Sequence, residues 1–174
     1  MRPALLAAAE KLLEKNGPAA LSLRELARRA GVSHNAPYRH FRDREALLAA
    51  LASDGFRLLG EALGKASGRE MGEAYVRFAL EHPELFRLMF GGRLRFTQHR
   101  ELAEAAAKPY DALLAAFRVQ PAVADPQKAA AAAWSLVHGL AHLLLDGHLA
   151  QLAGERAAFA REVIGAVRFA AKAS

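Results

Sequence analysis

The sequence has no cysteine, and this absence excludes several kinds of chemistry at once. Without cysteine the chain forms neither a disulfide nor a thiolate metal site, and it has no thiol nucleophile. It also lacks a nucleophile elbow, a phosphate-binding loop and a glycine-rich dinucleotide fingerprint. We therefore expect a cytoplasmic protein that is not an enzyme and needs no cofactor.

Long apolar runs are scarce as well. The apolar stretch at the N-terminus is interrupted by Glu10 and Lys11 before it is long enough for the core of a signal peptide, so we expect no export by that route. Residues 129–145 are seventeen uncharged residues, fewer than the roughly 20 that a membrane-spanning helix needs. We interpret this segment as a buried helix and expect no membrane partner.

Alternating β-branched runs, which are typical of strands, are missing too, whereas alanine and leucine dominate throughout. This pattern predicts an all-α fold. Start and stop signals divide the chain into about nine helices. The predicted helices run up to residue 16 and then over 23–30, 33–40, 44–66, 71–81, 83–90, 98–118, 125–146 and 156–172.

Positive charge is in excess and unevenly distributed. The chain carries 24 Lys and Arg against 18 Asp and Glu, a net charge of +6. Residues 1–50 alone carry +4, from nine basic and five acidic residues. Such a balance favours a polyanionic partner, although a solvated basic face would give the same count.

The run over residues 21–48 is the most informative part of the sequence. Ser22 and Glu25 have the spacing of a capping box, so a helix is predicted to begin just after Ser22. Gly31 is a typical helix stop, and Ser33 is the next N-cap. Two short helices joined by so tight a turn have the layout of a helix-turn-helix.

The second of these helices has one apolar face, formed by Pro37 and Phe41. The opposite face carries polar side chains suited to DNA: asparagine bonds bidentately to adenine, arginine to guanine, and serine, tyrosine and histidine donate to phosphates. Because proline lacks an N–H, we expect a distorted first turn, with 3₁₀ geometry as one option. The polar residues on the opposite face are His34, Asn35, Tyr38 and Arg39.

The pattern LxxLAxxAGVSxxxxYxHFxxxExLL resembles the N-terminal DNA-binding domain of the TetR family of transcriptional regulators, over about the first 50 residues. The resemblance implies a three-helix domain whose segment 33–40 enters the major groove. Its implied DNA contacts are Ser22, Leu23, Ser33, His34, Asn35, Tyr38, Arg39, His40 and Arg44. The stretch 34–37 departs from common family members, so no operator sequence is implied.

The resemblance also implies two domains: a helix-turn-helix domain over residues 1–48, whose linking helix continues to about residue 66, and a helical ligand-binding and dimerisation domain over residues 49–174. Large side chains between residues 86 and 134 line a pocket for a small apolar effector or fill a core. The predicted pocket residues are Phe86, Met89, Phe90, Phe96, Tyr110, Phe117, Trp134, His138 and His142. Trp134 with His138-Gly139 resembles the Trp, His-Gly signature of one C-terminal subgroup.

His138, His142 and Asp146 are four residues apart on one helix, a spacing that can seat a divalent metal. Gly139 stands where the HExxH proteases have their glutamate, so a hydrolytic site lacks its base. The simpler interpretation makes these histidines polar groups in an apolar pocket.

Together these observations predict a homodimeric, ligand-responsive repressor that binds a palindromic DNA operator. A dimer doubles the few base pairs that one short helix reads. The last two helices, 129–145 and 157–171, are expected to form a four-helix interface with those of the second copy. A ligand is expected to shift the helix over 44–63 and so change the spacing between the two DNA-binding helices of the dimer. The alternatives are a helical small-molecule binder without DNA binding and a metal-dependent hydrolase.

Overall fold

The computed structural model describes residues 1–152 and 154–167. These residues form eight α-helices and three single-turn 3₁₀ helices, and no strand occurs among them. The α-helices are α1 (Arg2–Asn16), α2 (Leu23–Ala30), α3 (Arg44–Gly64), α4 (Arg69–Glu81), α5 (Pro83–Phe90), α6 (Arg100–Arg118), α7 (Pro126–Leu145) and α8 (Arg156–Ala166). The 3₁₀ helices are Pro18–Ala20, Pro37–Arg39 and Phe96–Gln98. The all-α prediction is confirmed.

Two predicted helices differ from the structure. The segment 33–40 is a turn followed by the 3₁₀ helix Pro37–Arg39, which is why eight α-helices are found where about nine were expected. The last helix was expected to reach residue 172, whereas α8 ends at Ala166. Residues 168–172 of that prediction lie outside the described residues.

The chain forms two compact units. The first combines Met1–Phe56 with His82–Ala106, and the second combines Arg57–Glu81 with Ala107–Ser174. In unit 1, α1 packs against α2 and α5. Leucines on α1 at the spacing of one helix face are buried there, among them Leu5, Leu12 and Leu13.

In unit 2, α4 packs against both α7 and α8. Gly72 permits this close approach, because a Cβ atom at its position would lie 3.2 Å from a Val137 methyl group and 3.3 Å from an Ile164 methyl group. The absence of a side chain therefore brings the α4 backbone close to the two helices that follow it in this unit.

Helix α7 is the one described helix whose length and composition would suffice to cross a membrane. It begins at the N-cap Asp125, whose carboxylate accepts from the N–H groups of Gln127 and Lys128, both at 3.1 Å. The side chains on one face, including Val137, Leu140 and Leu144, are buried within unit 2. As expected from the sequence, α7 buries this face among helices.

Candidate nucleic-acid interface and apolar cavity

The helix α2 starts as the capping pattern predicts. The hydroxyl of Ser22 accepts a hydrogen bond from the N–H of Glu25 at 3.1 Å. The Glu25 carboxylate, which the capping box would turn back to Ser22, instead accepts from the guanidinium groups of Arg28, at 2.8 and 2.6 Å, and Arg29, at 2.9 Å. Bonds from Arg28, and then Arg29, lower the pKa of Glu25 to about 2. Half of the predicted box is therefore replaced by an arginine clamp.

The turn after α2 has the geometry that the glycine predicts. Gly31 has a left-handed backbone with φ 64° and ψ 30°. Its N–H donates to the carbonyl of Arg28 at 3.4 Å, and the N–H of Val32 donates to the carbonyl of Ala27 at 3.1 Å. This pair of bonds is a Schellman motif, which ends the helix and turns the chain sharply into the next segment.

The segment 33–40 departs further from an α-helix than the distorted first turn that the sequence predicted, and Pro37 supplies the physical reason. In an α-helix the carbonyl of Ser33 would accept from the N–H of residue 37, which proline lacks. That carbonyl accepts from the N–H of Ala36 instead, at 2.9 Å. The carbonyl of Pro37 then accepts from the N–H of His40 at 3.0 Å and of Phe41 at 2.9 Å. Ser33 therefore begins a tight turn rather than capping an α-helix.

This segment is anchored by its apolar residues. Ala36, Pro37 and Phe41 are buried in unit 1. The intervening polar side chains are exposed, and Tyr38 has 46% of its surface accessible. The exposed residues are Ser33, His34, Asn35, Tyr38, Arg39 and His40. The structure thus brings together six of the predicted DNA contacts as one continuous polar strip, which we call the reader segment.

The other three predicted contacts lie beside it with more restricted roles. Leu23 is 5% exposed, so it offers DNA its backbone N–H at the start of α2 rather than its side chain. The hydroxyl of Ser22 is exposed but already accepts from Glu25. Arg44 donates through Nε to the carbonyl of Leu21 at 2.8 Å and through one terminal nitrogen to the carbonyl of Pro18. Arg44 therefore braces the chain between α1 and α2, and its remaining donors are available for a phosphate.

The arginines near the reader segment differ in how far they are neutralised. Arg42 pairs with Asp43 at 2.9 Å, and Arg28 pairs with Glu25. Arg24 and Arg39 are exposed, and neither forms an ion pair with another described residue. These two guanidinium groups therefore carry positive charge that no described carboxylate neutralises.

Unit 2 contains a cavity of about 310 Å³ between its helices. Two of the predicted pocket residues, Phe117 and Trp134, line it, and α4 supplies residues that sequence reasoning missed, such as Arg69, Gly72 and Tyr75. The lining consists of Leu63, Gly68, Arg69, Met71, Gly72, Tyr75, Leu113, Ala116, Phe117, Gln120, Ala133, Trp134, Leu136, Val137, Ile164 and Val167. The aromatic content of residues 86–134 could not reveal α4's contribution.

Four of the predicted pocket residues belong to unit 1 instead. Phe90 packs edge-on against Phe56 with ring centroids 5.2 Å apart, and Phe86 lies 4.8 Å from Phe90. Phe96 lies 6.0 Å from Phe56, and Met89 is 1% exposed. These side chains pack together in unit 1, and none of them lines the cavity of unit 2.

The remaining predicted pocket residues flank the cavity in unit 2. The ring of Tyr110 lies 5.9 Å from that of Trp134, and its hydroxyl donates to the carbonyl of Gln127 at 3.3 Å. The hydroxyl of Tyr75 and Nδ1 of His138 are 2.8 Å apart, and the rings of His138 and His142 are 4.7 Å apart. The cavity wall therefore has a second layer of polar side chains behind Tyr75.

The electrostatics of this layer favour neutral side chains. Burial, and secondarily the nearby His142, lowers the pKa of His138, and burial raises the pKa of Tyr75. A neutral His138 can accept a hydrogen bond from the Tyr75 hydroxyl at Nδ1. Within the described part of the chain, no three His, Asp or Glu side chains are grouped to hold a metal ion. The arrangement of His138, His142 and Asp146 does not favour the hydrolase alternative.

Two family models match the chain. Residues 5–51 match the model of bacterial regulatory proteins of the tetR family, and residues 69–167 match a tetracyclin repressor-like C-terminal domain. The chain belongs to the TetR family. It is therefore a DNA-binding, ligand-responsive transcriptional regulator. Regulators of this family bind DNA operators and small-molecule effectors, form dimers, reside in the cytoplasm and are in general not enzymes.

Solved structures agree with this assignment. A protein of unknown function from Rhodococcus sp. RHA1 is 39% identical, with a TM-score of 0.81 over 95% of this chain and 90% of that chain. The TetR family regulator PfmR from Thermus thermophilus is 25% identical, with a TM-score of 0.63 over 92% and 94%. A tetR-family regulator from Streptomyces coelicolor, 23% identical over 94% and 76%, shares the fold with a TM-score of 0.72. No match is found among curated proteins.

Proposed function

We propose that this regulator is a homodimeric repressor that binds a palindromic operator and releases it when a small, largely apolar effector enters unit 2. The observation that carries the proposal is the reader segment, six exposed polar residues held in place by the buried Ala36, Pro37 and Phe41. Apolar residues anchor this strip while every side chain able to bond to DNA points to solvent.

The chemistry of the segment suggests a division of labour. His34, Asn35 and Arg39 are the proposed base contacts, because asparagine and arginine bond bidentately to adenine and guanine in the major groove. Ser33, Tyr38 and His40 are the proposed phosphate contacts, which fix the register without reading sequence. Ser22, the backbone N–H of Leu23, and Arg44 are proposed to add phosphate contacts beside them.

We infer that the dimer forms through α7 and α8. The exposed face of α7 carries small side chains, among them Ala131, Ala132 and Ser135, so the helix of a second copy can approach closely. Leu143, farther along the same helix, keeps 42% of its surface exposed in the single chain. Two copies of each helix would form a four-helix interface whose two-fold axis matches a palindrome.

The cavity of unit 2 is the proposed effector site, and α3 is the proposed transmitter. Helix α3 begins in unit 1 with Arg44 and ends in unit 2, where Leu63 lines the cavity. A ligand that favours one position of Leu63 therefore acts on the helix whose first residue, Arg44, braces the chain between α1 and α2. The dimer is proposed to have two states that differ in the distance between its two reader segments. The ligand shifts the equilibrium between them only if it binds one state more tightly than the other. The functional boundary we propose remains near residue 48, with α3 as the link between the two domains.

We further infer that the C-terminal domain belongs to the subgroup with the Trp, His-Gly signature. Trp134, His138 and Gly139 lie on α7. The first two converge on Tyr75, whose ring is 5.4 Å from the Trp134 ring and whose hydroxyl is 2.8 Å from His138 Nδ1. Trp134 and His138 thus share one neighbour, which gives the spacing between these two residues a structural reason.

The test is selection of bound duplexes from a random pool by the purified protein at low salt. We expect enrichment of two inverted half-sites about one helical turn, roughly 10 base pairs, or a multiple of it apart. Asn35→Ala should relax the preference at one base pair in each half-site. Asn16→Ala, at the exposed end of α1, is the matched control and should leave the selected sequence unchanged. Absence of any enrichment would overturn the proposal in favour of a ligand-binding protein that does not bind DNA.

A further inference from the structure

We propose that the effector is an amphipathic carboxylic acid, with its apolar body in the cavity of unit 2 and its carboxylate on Arg69. This inference rests on the proposed function, because it assumes that the cavity is the effector site. It replaces a purely apolar ligand by a specific chemical class. Two observations support this inference: the composition of the cavity wall and the surroundings of the Arg69 guanidinium group.

The wall of the cavity is mostly apolar, and its few polar side chains differ in charge and in whether they already form hydrogen bonds. Among the described residues that line it, Arg69 is the one charged side chain, and no aspartate or glutamate is present. The hydroxyl of Tyr75 is engaged with His138 at 2.8 Å. The amide nitrogen of Gln120 donates to the carbonyl of Ala116 at 3.2 Å. The wall also contains the indole N–H of Trp134, but the charged donors that the described lining residues can offer a ligand are those of Arg69 alone.

Arg69 lies where an acid head group can reach it. It is the first residue of α4, and its side chain is exposed. One terminal nitrogen lies 3.9 Å from the position that a Cβ of Gly165 would take. Gly165 follows Ile164, and both Ile164 and Val167 line the cavity. The guanidinium group of Arg69 thus lies beside the part of α8 that forms the cavity wall.

Among the residues that the structure describes, none provides a counter-ion for this guanidinium group. Neighbouring Glu70 is turned away, because its carboxylate accepts from the N–H and the hydroxyl of Ser67, both at 3.3 Å. Some other arginines in the described chain pair with a carboxylate one turn away, such as Arg87 with Glu84 and Arg100 with Glu104, both at 2.7 Å. Arg69 forms no such pair with a described residue. A ligand carboxylate would supply the missing partner.

A carboxylate fits this group better than other head groups of similar size. The planar guanidinium fork bonds bidentately to a carboxylate, with shorter and stronger bonds than those between neutral groups. An amine would meet Arg69 with like charge. The volume of about 310 Å³ is near the lower end of ligand pockets, and it suits a body on the order of ten non-hydrogen atoms.

The experiment uses decanoate and its neutral counterpart decan-1-ol as probes. The sequence has one tryptophan, Trp134, and it lines the cavity, so its fluorescence reports occupancy directly. Both probes are titrated into the wild type, Arg69→Gln and Arg77→Gln. Arg77 is the matched control, an exposed arginine on α4 outside the cavity lining. We expect the affinity ratio of decanoate to decan-1-ol to fall about tenfold in Arg69→Gln and to stay unchanged in Arg77→Gln.

Failure of this inference is distinguishable from failure of the proposed function. An Ala116→Phe variant, which fills part of the cavity, should weaken both probes. If it does so while the affinity ratio is the same in the wild type and Arg69→Gln, the carboxylate assignment is overturned and the cavity remains the ligand site. If neither probe changes the Trp134 fluorescence, the carboxylate assignment and the cavity assignment both fail. If decanoate binds through Arg69 but leaves operator binding unchanged, the acid is a ligand without being an effector, and the effector claim falls.

Discussion

The carboxylate of Glu14 on α1 accepts a hydrogen bond from the backbone N–H of Leu85, in the first turn of α5, at 2.9 Å. Its second oxygen accepts from the N–H of Glu84 at 3.1 Å. The residue at the N-cap of α5, His82, provides no side-chain cap and instead lies 3.2 Å from Glu10 on α1. The start of α5 is therefore capped by another helix, 70 residues away in the sequence.

Removing this remote cap should destabilise unit 1. Glu14→Ala leaves two N–H groups of α5 without their acceptor, and we expect the free energy of unfolding to fall by about 1–2 kcal/mol. Urea denaturation measures the change. Glu104→Ala, which removes an exposed carboxylate paired with Arg100 on α6, is the control and should change stability by less than about 0.5 kcal/mol. Equal losses in the two variants would show that Glu14 does not cap α5.

The stability of the protein should depend on pH through His138. Because burial lowers the pKa of this side chain in the folded state, the unfolded chain takes up a proton first as the pH falls below about 6.5. The stability associated with His138 is thus complete above that pH and is lost as the pH falls towards the lowered pKa of the folded state.

The measurement is urea denaturation of the wild type and His138→Asn at pH 7.5 and 5.5. Asparagine can still accept from Tyr75 but does not titrate, so the variant should lose less stability than the wild type between the two pH values. His148→Asn, at an exposed position, is the control and should keep the wild-type dependence. A wild-type dependence in His138→Asn would contradict this assignment.

The proposed dimer interface predicts a specific sensitivity on α7. Leu143→Arg would place an unpaired charge between the two copies, so the dimer dissociation constant should rise on the order of a hundredfold. Sedimentation analysis over a range of concentrations measures it. Val119→Arg, at a position 79% exposed after α6, is the matched control and should leave the dimer intact. A dimer insensitive to Leu143→Arg would mean that the interface lies elsewhere.

The sequence predicted those parts of the fold that depend on local chemistry. The cap at Ser22 and the left-handed Gly31 follow from neighbouring residues, and both are found. The reader segment was predicted with Pro37 and Phe41 on its apolar face, as a helix with a distorted first turn for which 3₁₀ geometry was one option. A single missing N–H, at Pro37, converts it to a turn and a 3₁₀ helix. The distortion that was expected of the first turn therefore extends over the whole segment.

Features that depend on distant residues could not be predicted. The cap that Glu14 provides for α5 has no local signal, because an isolated glutamate on α1 is typical of a solvated face. The pocket prediction combined Phe86 to Phe96 with Phe117 and Trp134 because they are close in sequence, whereas the chain divides them between two units. Arg69 was missed for the converse reason, since it lies on α4, before the aromatic segment.

The central claim is that the reader segment binds DNA, and the most direct measurement is the affinity of the protein for its selected duplex as a function of salt. We expect wild-type affinity to fall steeply as salt increases, because phosphate contacts release counterions. Arg39→Ala should bind the selected duplex roughly 10- to 100-fold more weakly and lose discrimination at one base pair. Arg77→Ala, which removes an equal charge from unit 2, should bind like the wild type. Equal affinity of Arg39→Ala and Arg77→Ala, or no duplex binding by the wild type at low salt, would contradict the account.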